Sequence, residues 1–240
     1  MWRNVGNAGL YKIIRLLEKI QLFFQLKLGF LKTYAPNAFV DQSETCGDER
    51  ASHERFRAIS DYLPKNHPLT TLDIGCNLGF FTFNMAKRGG LCIGIDYGRN
   101  EILAARALAS HHSIRNVVFT QMEITPENAS LLPITDVVIC LSVFHHWIRK
   151  LGEEKSLIIM KGLAKSAGKY LIFDTGQPDE KGVSWSDCLG FMRPNVEIWA
   201  NGYLKALGFS EVINLGSYKT SVSEVPRILF IAVKDSNAAG

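Results

Sequence analysis

Residues 72–82 read Leu-Asp-Ile-Gly-Cys-Asn-Leu-Gly-Phe-Phe-Thr, and this stretch decides the fold that the sequence predicts. Its start, residues 71–74, has the apolar pattern of a buried strand, and a helical pattern follows the glycines. Gly75 and Gly79 let the backbone turn sharply and let a ligand come close. Asn77 stands between them, and asparagine tolerates a left-handed conformation better than other non-glycine residues. Doubly wound sheets bind nucleotides at a strand–turn–helix unit of this kind.

Short apolar strands alternate with helical stretches from residue 70 to residue 234. Such alternation implies parallel pairing through right-handed crossovers. A polar loop without a helix links the last two strands, so we expect the last strand to be antiparallel. The sequence therefore predicts an α/β fold, a Rossmann-like doubly wound and mostly parallel seven-stranded sheet with an antiparallel edge strand. The predicted strands are 71–74, 91–95, 116–121, 135–141, 169–173, 211–215 and 227–233, and the predicted helices are 80–88, 100–110, 153–165 and 196–207.

The chain divides into four parts by pattern. They are a basic amphipathic helical extension (1–40), a helical lead-in with a helix at 49–63 (41–69), the main α/β domain (70–234) and a short tail (235–240). The apolar run at 10–31 carries too many charged residues for a span through a bilayer. A basic amphipathic helix there favours either peripheral contact with an anionic membrane or burial as a cap or dimer contact.

Composition does not favour a dedicated nucleic-acid binder, although it neither requires nor excludes RNA. Of the 240 residues 47% are apolar, and 27 basic against 23 acidic side chains leave a net charge of only +4. A dedicated nucleic-acid binder usually carries a more concentrated positive charge. The cysteines are scattered without zinc-ligand spacing, which predicts reduced thiols in a cytoplasmic protein and no metal site. They are Cys46, Cys76, Cys92, Cys140 and Cys188.

A second acidic residue narrows the choice of cofactor. Asp96 ends the second predicted strand, 23 residues after Asp73, close to the spacing that brings a carboxylate to the hydroxyls of a ribose. A dinucleotide fold would have glycine at positions 75, 77 and 80, where this chain has Gly75, Asn77 and Phe80. Asp73 suits the ammonium group of a methionine moiety better than a pyrophosphate. The turn therefore favours an aminoacyl nucleoside.

Residues 72–79 together with Asp96 resemble motifs I and II of class I S-adenosylmethionine-dependent methyltransferases, and the resemblance extends over roughly residues 70–173. It implies that the protein is such an enzyme, with S-adenosylmethionine as cofactor and residues 70–234 as the methyltransferase domain. The implied contacts are Asp73, Gly75, Cys76, Asn77 and Gly79 for the methionine part, Asp96 for the ribose, and Met122 and Glu123 for the adenine, with Tyr97 and Leu141 completing the set.

Residues 140–147, Cys-Leu-Ser-Val-Phe-His-His-Trp, resemble the methyltransferase domain of enzymes that cap bacterial O-antigen polysaccharide chains. Methyltransferases that modify the wobble uridine of transfer RNA share a looser version. His145 and His146 follow the fourth predicted strand, and a histidine near its usual pKa of about 6.5 can take a proton from an acceptor hydroxyl. We expect His146, or else His145, to be this base. The alternative is that one histidine packs on the sheet and the other caps a loop.

The later part of the chain leaves two further alternatives open. Asp174 either lines the acceptor pocket or serves as a turn residue. Trp185, Phe191, Met192 and Trp199 either wall that pocket or pack under the last helix. The leading hypothesis is an O-methyltransferase acting on a sugar or glycan at the inner face of a membrane. The alternatives are an RNA-modifying methyltransferase and a scaffold that binds the cofactor without catalysis.

Overall fold

The computed structural model describes residues 48–65, 67–220 and 222–235, with the side chains of residues 48–50 left out. The predicted extension at 1–40, its amphipathic helix at 10–31 and all but the first residue of the tail lie outside these residues. The elements are α1 (Asp48–Tyr62), β1 (Thr71–Ile74), α2 (Phe80–Ala86), β2 (Cys92–Asp96), α3 (Arg99–His111), β3 (Val117–Gln121), β4 (Thr135–Leu141), α4 (Phe144–Ser166), β5 (Ala167–Asp174), α5 (Val196–Ala206), β6 (Glu211–Thr220) and β7 (Ser223–Val233), with short 3₁₀ helices at Ala129–Leu131 and Ser186–Met192.

The seven strands form one sheet in the order β3-β2-β1-β4-β5-β7-β6. Strands β1 to β5 pair in parallel, and β7 is antiparallel to both β5 and β6. The predicted doubly wound, mostly parallel sheet with a reversed last strand is therefore confirmed. The reversed strand β7 is second from the edge of the sheet, and β6 is the edge strand. The turn between β6 and β7 is short, and such a turn can join only antiparallel neighbours.

Helices cover both faces of the sheet. The central strand β1 is buried along its whole length, as expected for a parallel strand between two helical layers. Alternate residues of β4 face opposite layers, since successive side chains of a strand point to opposite sides. Val138 and Cys140 pack with α4 and α5, whereas Val137 and Ile139 pack with α1 and α2. Within the described residues no helix is both long and apolar enough to cross a membrane.

Helix α4 begins earlier than the sequence predicted. The predicted helix started at residue 153, but the helix starts at Phe144 and runs to Ser166 with a non-helical residue inside, Gly152 (φ 82°, ψ 174°). Gly152 interrupts the helical pattern, so the first half of the helix was not predicted. That half nevertheless buries Phe144, Trp147 and Ile148 on one face at helical spacing. The predicted histidines therefore lie in the first turn of a helix.

The last two strands are longer than predicted. They were expected at 211–215 and 227–233, but β6 continues to Thr220 and β7 starts at Ser223. Pairs such as Tyr218 with Arg227 and Thr220 with Ser223 extend the ladder through residues without strand-like apolar alternation. The pairing between strands, and not local pattern, sets this length.

The turn after β1 is held in a conformation that requires its glycines. Gly75, Asn77 and Gly79 all have positive φ values, 72°, 49° and 84°. A Cβ atom on Gly75 would lie 2.4 Å from Cγ2 of Val143, just before α4. The missing side chain thus lets the turn after β1 and the turn after β4 touch.

We predict that Gly75→Ala destabilises the protein more than Gly182→Ala. Both positions have φ near 72°, but among the described residues nothing lies within 4 Å of a Cβ on Gly182. Left-handed strain costs each variant about 1–2 kcal/mol, and overpacking against Val143 adds about 1–3 kcal/mol at position 75. Urea unfolding measures both free energies, and in a Val143→Ala background the excess should vanish. Equal losses in the original background would show that the contact carries no strain.

Candidate active site at the carboxyl edge of the sheet

The predicted cofactor residues gather where the parallel strands end. The strand registers bring the carboxyl ends of β3, β2, β1 and β4 to one level. In order across the sheet, that level holds Gln121, Asp96, Gly75 and Leu141, and Met122 follows Gln121 directly. Ligands of doubly wound folds bind at this edge, in the crevice beyond the strand ends.

Asp96 ties the turn after β1 to the end of β2. Its Oδ2 accepts a hydrogen bond from the backbone N–H of Asn77 (2.9 Å), and its Oδ1 accepts one from Gly98 (2.8 Å). A carboxylate has about four acceptor sites, so these two bonds leave capacity for two hydroxyl groups. The arrangement suits a ribose, whose neighbouring hydroxyls both need an acceptor.

Asp73 lies beneath the same turn and is only 3% exposed. Its Oδ2 accepts a hydrogen bond from the Thr82 hydroxyl at 2.6 Å. Burial, helped by the negative charge of Asp96, raises the pKa of Asp73 to about 7. A positive group bound above the turn would favour the ionised form of this carboxyl.

The other predicted cofactor residues have diverse surroundings. Cys76 and Leu141 are buried, whereas Tyr97 is exposed. Met122 is half-buried, and its N–H donates to the carbonyl of Asp96 at 2.9 Å. Glu123 is exposed and forms an ion pair with Lys150 of α4. This pair links the segment after β3 to α4 across the mouth of the crevice.

The two histidines differ sharply. His145 is buried, and its Nδ1 accepts a hydrogen bond from the N–H of Gly176 at 2.9 Å. Burial, then the charges of Arg227 and His146, lowers the pKa of His145 to about 2. The ring is therefore neutral at physiological pH, and its Nδ1 is already occupied.

His146 is exposed, with its ring 4.2 Å from that of His145. Desolvation, followed by the positive charges of Arg227 and Arg149, lowers the pKa of His146 below its usual value. A neutral imidazole with an accessible ring can accept a proton at neutral pH. Of the two histidines, His146 has the surroundings that suit a general base.

Asp174 was predicted either to line the acceptor pocket or to serve as a turn residue, and the structure places it, buried, at the end of β5. Its Oδ2 accepts a hydrogen bond from Arg55 of α1 at 2.9 Å. Its Oδ1 accepts from both the N–H (2.7 Å) and the hydroxyl (3.0 Å) of Ser142, a residue with φ of 59°. Asp174 thereby anchors the turn that leads into the two histidines.

Sequence reasoning missed a second ion pair, between Glu180 and Arg227. Their side chains are 0% and 1% exposed, and the carboxylate accepts from Nε (2.7 Å) and Nη2 (2.9 Å) of the arginine. Nη1 of Arg227 donates to the hydroxyl of Ser142 at 3.1 Å. The available signal was an arginine opening an otherwise apolar strand, where a charge needs a partner.

Among the four candidate wall residues, Trp185 lies beside the histidines. Its ring is 4.5 Å from that of His145 and 5.3 Å from that of His146. The other three pack in the core around α5, with Trp199 stacked on Tyr203 at 4.9 Å. Within the described residues no group of three or more His, Cys, Asp or Glu side chains is placed to hold a metal ion.

Comparison with known proteins identifies this arrangement. A family model described as "Methyltransferase domain" matches residues 65–187. The chain belongs to this methyltransferase family. The O-antigen chain terminator bifunctional methyltransferase/kinase WbdD of Escherichia coli is 28% identical over 165 residues, which are 68% of this chain and 22% of that protein. The ubiquinone biosynthesis O-methyltransferase of Acinetobacter baumannii (strain AYE) is 32% identical over 78 residues, 31% of this chain and 32% of the relative. The chain thus spans about a fifth of WbdD.

Solved structures share the fold. A crystal structure of WbdD superposes with a TM-score of 0.66 at 24% identity, covering 84% of this chain and 44% of that one. Magnesium protoporphyrin IX methyltransferase (ChlM) from Synechocystis PCC 6803, solved with bound SAH, gives 0.60 at 22% identity, covering 91% and 99%. The predicted class I S-adenosylmethionine-dependent methyltransferase is confirmed, and S-adenosylmethionine is its cofactor. The glycine turn and the spare acceptor sites of Asp96 fit that molecule.

We predict that Asp73 makes stability fall as pH rises. Because its pKa in the folded protein is about 7 and the usual value is 3.8, the native state retains a proton that the unfolded chain releases. Stability from this group is therefore lost between roughly pH 4 and pH 7. Asp73→Asn still accepts from Thr82 but cannot ionise. Urea unfolding should show the variant gaining about 2 kcal/mol relative to wild type between pH 5 and pH 8. Parallel pH profiles would contradict the raised pKa.

Proposed function

We propose that the enzyme transfers the methyl group of S-adenosylmethionine to a hydroxyl of a sugar or glycan, with His146 as general base. The observation that carries this proposal is the exposed His146, neutral at physiological pH, in the first turn of α4. That turn is directly preceded by Val143, which packs on the cofactor turn at Gly75. A base at this point lies next to the cofactor and is open to an acceptor.

In this proposal, different residues bind the ribose, methionine and adenine parts of the cofactor. Asp96 binds the ribose hydroxyls with its remaining acceptor sites, and Asp73 with the turn from Gly75 to Gly79 holds the methionine part. Met122 and Glu123 flank the adenine. Tyr97 and Leu141 complete the pocket, Tyr97 from the exposed side and Leu141 from the buried end of β4.

S-adenosylmethionine, when bound, supplies a methyl carbon that the positive sulfonium already activates. His146 would accept the proton of the acceptor hydroxyl at a ring nitrogen as the hydroxyl oxygen takes the methyl group, and the electron pair of the broken carbon–sulfur bond would stay on the sulfur, which becomes neutral. Desolvation, followed by the charges of Arg227 and Arg149, lowers the pKa of His146, which keeps the imidazole neutral so that it can take this proton. Trp185 packs edge-to-face against one side of the His146 ring. Holding base and acceptor together contributes most of the remaining catalysis.

The preference for a glycan rests on likeness. WbdD is an O-antigen chain terminator, and it is 28% identical to this chain over 165 residues. A hydroxyl acceptor also agrees with the O-methyltransferase of ubiquinone biosynthesis. We propose that the enzyme acts in the cytoplasm, with residues 10–31 bringing it to the inner face of a membrane where lipid-linked glycans are built. The RNA-modifying alternative depends on the basic residues 1–40, which, like residues 10–31 in the membrane proposal, lie outside the described residues.

A label-transfer experiment tests the acceptor class. Purified protein, radiolabelled S-adenosylmethionine and a cell extract are incubated, and the extract is separated into glycolipid, RNA, protein and small-molecule fractions. We expect label in the glycolipid fraction. Label in RNA alone, or in no fraction although the cofactor binds, would overturn the proposed function.

We predict that His146→Ala lowers turnover about 10²- to 10⁴-fold, the usual contribution of a general base. Cofactor affinity, measured by calorimetry, should stay within about twofold, because the cofactor half of the site is unchanged. His67→Ala is the matched control, since His67 is exposed and precedes β1 at the opposite edge of the sheet. Turnover retained by His146→Ala across pH 6–8 would reduce His146 to a packing role.

A further inference from the structure

The buried pair Glu180–Arg227 is more elaborate than an ordinary ion pair. Besides the two bonds from Arg227, Glu180 accepts from the N–H of Gln177 (3.1 Å) and from Nε1 of Trp185 (2.8 Å). Together these donors occupy the roughly four acceptor sites of a carboxylate. Every acceptor position of Glu180 therefore points at a defined partner.

Stability alone does not explain this pair. Removing two charges from water is costly, and an apolar pair of similar volume is often as stable or more so. Charge-assisted bonds are instead strongly directional, which fixes the geometry of the groups that they join. The groups that Glu180 and Arg227 hold in place therefore indicate the role of the pair.

Both residues of the pair contact the indole of Trp185. Glu180 holds its N–H, and the guanidinium of Arg227 lies 5.6 Å from its ring centre. On a third side a Cβ on Gly176 would lie 2.6 Å from Nε1, so the backbone after β5 approaches this edge of the ring closely. Trp185 in turn packs on His145 and His146. The pair thus controls what lies against the two histidines.

Arg227 also joins the segment before the histidines. Its Nη1 donates to Ser142, whose hydroxyl donates to Asp174. One arginine from β7 therefore links the segment after β5, through Glu180, to the turn between β4 and α4.

We propose that Glu180 and Arg227 are positioning residues, which clamp Trp185 against the histidine pair and so orient His146 towards the acceptor. The role of His146 as base rests on the proposed function, but the clamping of its ring does not. Without the pair, Trp185 would keep its apolar contacts but lose the bond that fixes its rotation.

The test uses the full chain and the double variant Glu180→Leu/Arg227→Met, which replaces the pair by apolar side chains of similar size. The indole ring current shifts the nuclear magnetic resonance signals of the His146 ring, and His146→Ala assigns them. We expect these signals to move in the double variant while the affinity for S-adenosylmethionine is unchanged. The rate of methyl transfer to the acceptor in the fraction that takes up label should fall ~10- to 100-fold, because a small misplacement at a reacting centre has an effect of this size.

A matched control uses another ion pair near the same hairpin. Lys219 and Glu224 join β6 to β7 and are exposed. Lys219→Gln/Glu224→Gln should leave the His146 signals and turnover as in wild type. If these changes act like the loss of the buried pair, the effect is a general loosening of the hairpin and the proposal is wrong.

A second variant covers the case in which the double variant does not fold. Trp185→Phe retains a ring but removes the N–H that Glu180 holds, and we expect shifted His146 signals and reduced turnover. Turnover of Trp185→Phe equal to that of wild type would overturn the positioning role, because the change from indole to phenyl shifts the His146 signals by itself. A failure of the proposed function is distinct from this result, since it would appear as absent label in the glycolipid fraction with the wild-type enzyme.

Discussion

The whole site depends on the contact between a residue without a side chain, Gly75, and Val143. The turn after β1 belongs to the cofactor half, and the turn after β4 carries the histidines. A Cβ at position 75 would lie 2.4 Å from Val143, so any other residue would push the two halves apart. Methyl transfer requires donor and acceptor within near-attack distance, because an in-line displacement cannot proceed across a gap. Backbone geometry at one glycine therefore serves the reaction as well as the fold.

Charge is distributed unevenly across this edge. The cofactor half holds Asp73 and Asp96, and burial brings the pKa of Asp73 to about 7. In the acceptor half, Arg55 and Arg227 pair with the carboxylates Asp174 and Glu180. The two carboxyls of the first half suit a cationic cofactor, whereas desolvation, followed by the charges of Arg227 and Arg149, disfavours a protonated His146 in the second. In the proposed function, the same edge would bind a positive donor and keep its base neutral.

Local pattern predicted most of the elements, and the residues proposed to bind the cofactor lie together at one edge of the sheet. The strand–turn–helix unit at Gly75 and the bounds of β4 depend on side chains close together in sequence, where periodicity and glycine are informative. The first half of α4 escaped because Gly152 interrupts it. The ion pairs escaped for a different reason. Arg55 and Asp174 are 119 residues apart, and Glu180 and Arg227 are 47 apart, so only the assembled sheet brings them together.

The side chains that we propose to border the acceptor come from two parts of the chain, one inside the region matched by the family model and one outside it. The family model ends at residue 187, so it includes Glu180 and Trp185 but not Arg227. Arg227 comes from β7, beyond the matched region, yet its bonds fix the partner of Trp185. Part of the surroundings of the histidines is thus fixed by a residue from outside the family region. Relatives can therefore share the cofactor and the methyl transfer and still differ in acceptor, as do WbdD and the ubiquinone enzyme. In the proposed function, the parts of this chain that would distinguish its acceptor are therefore β7 and the segment after β5.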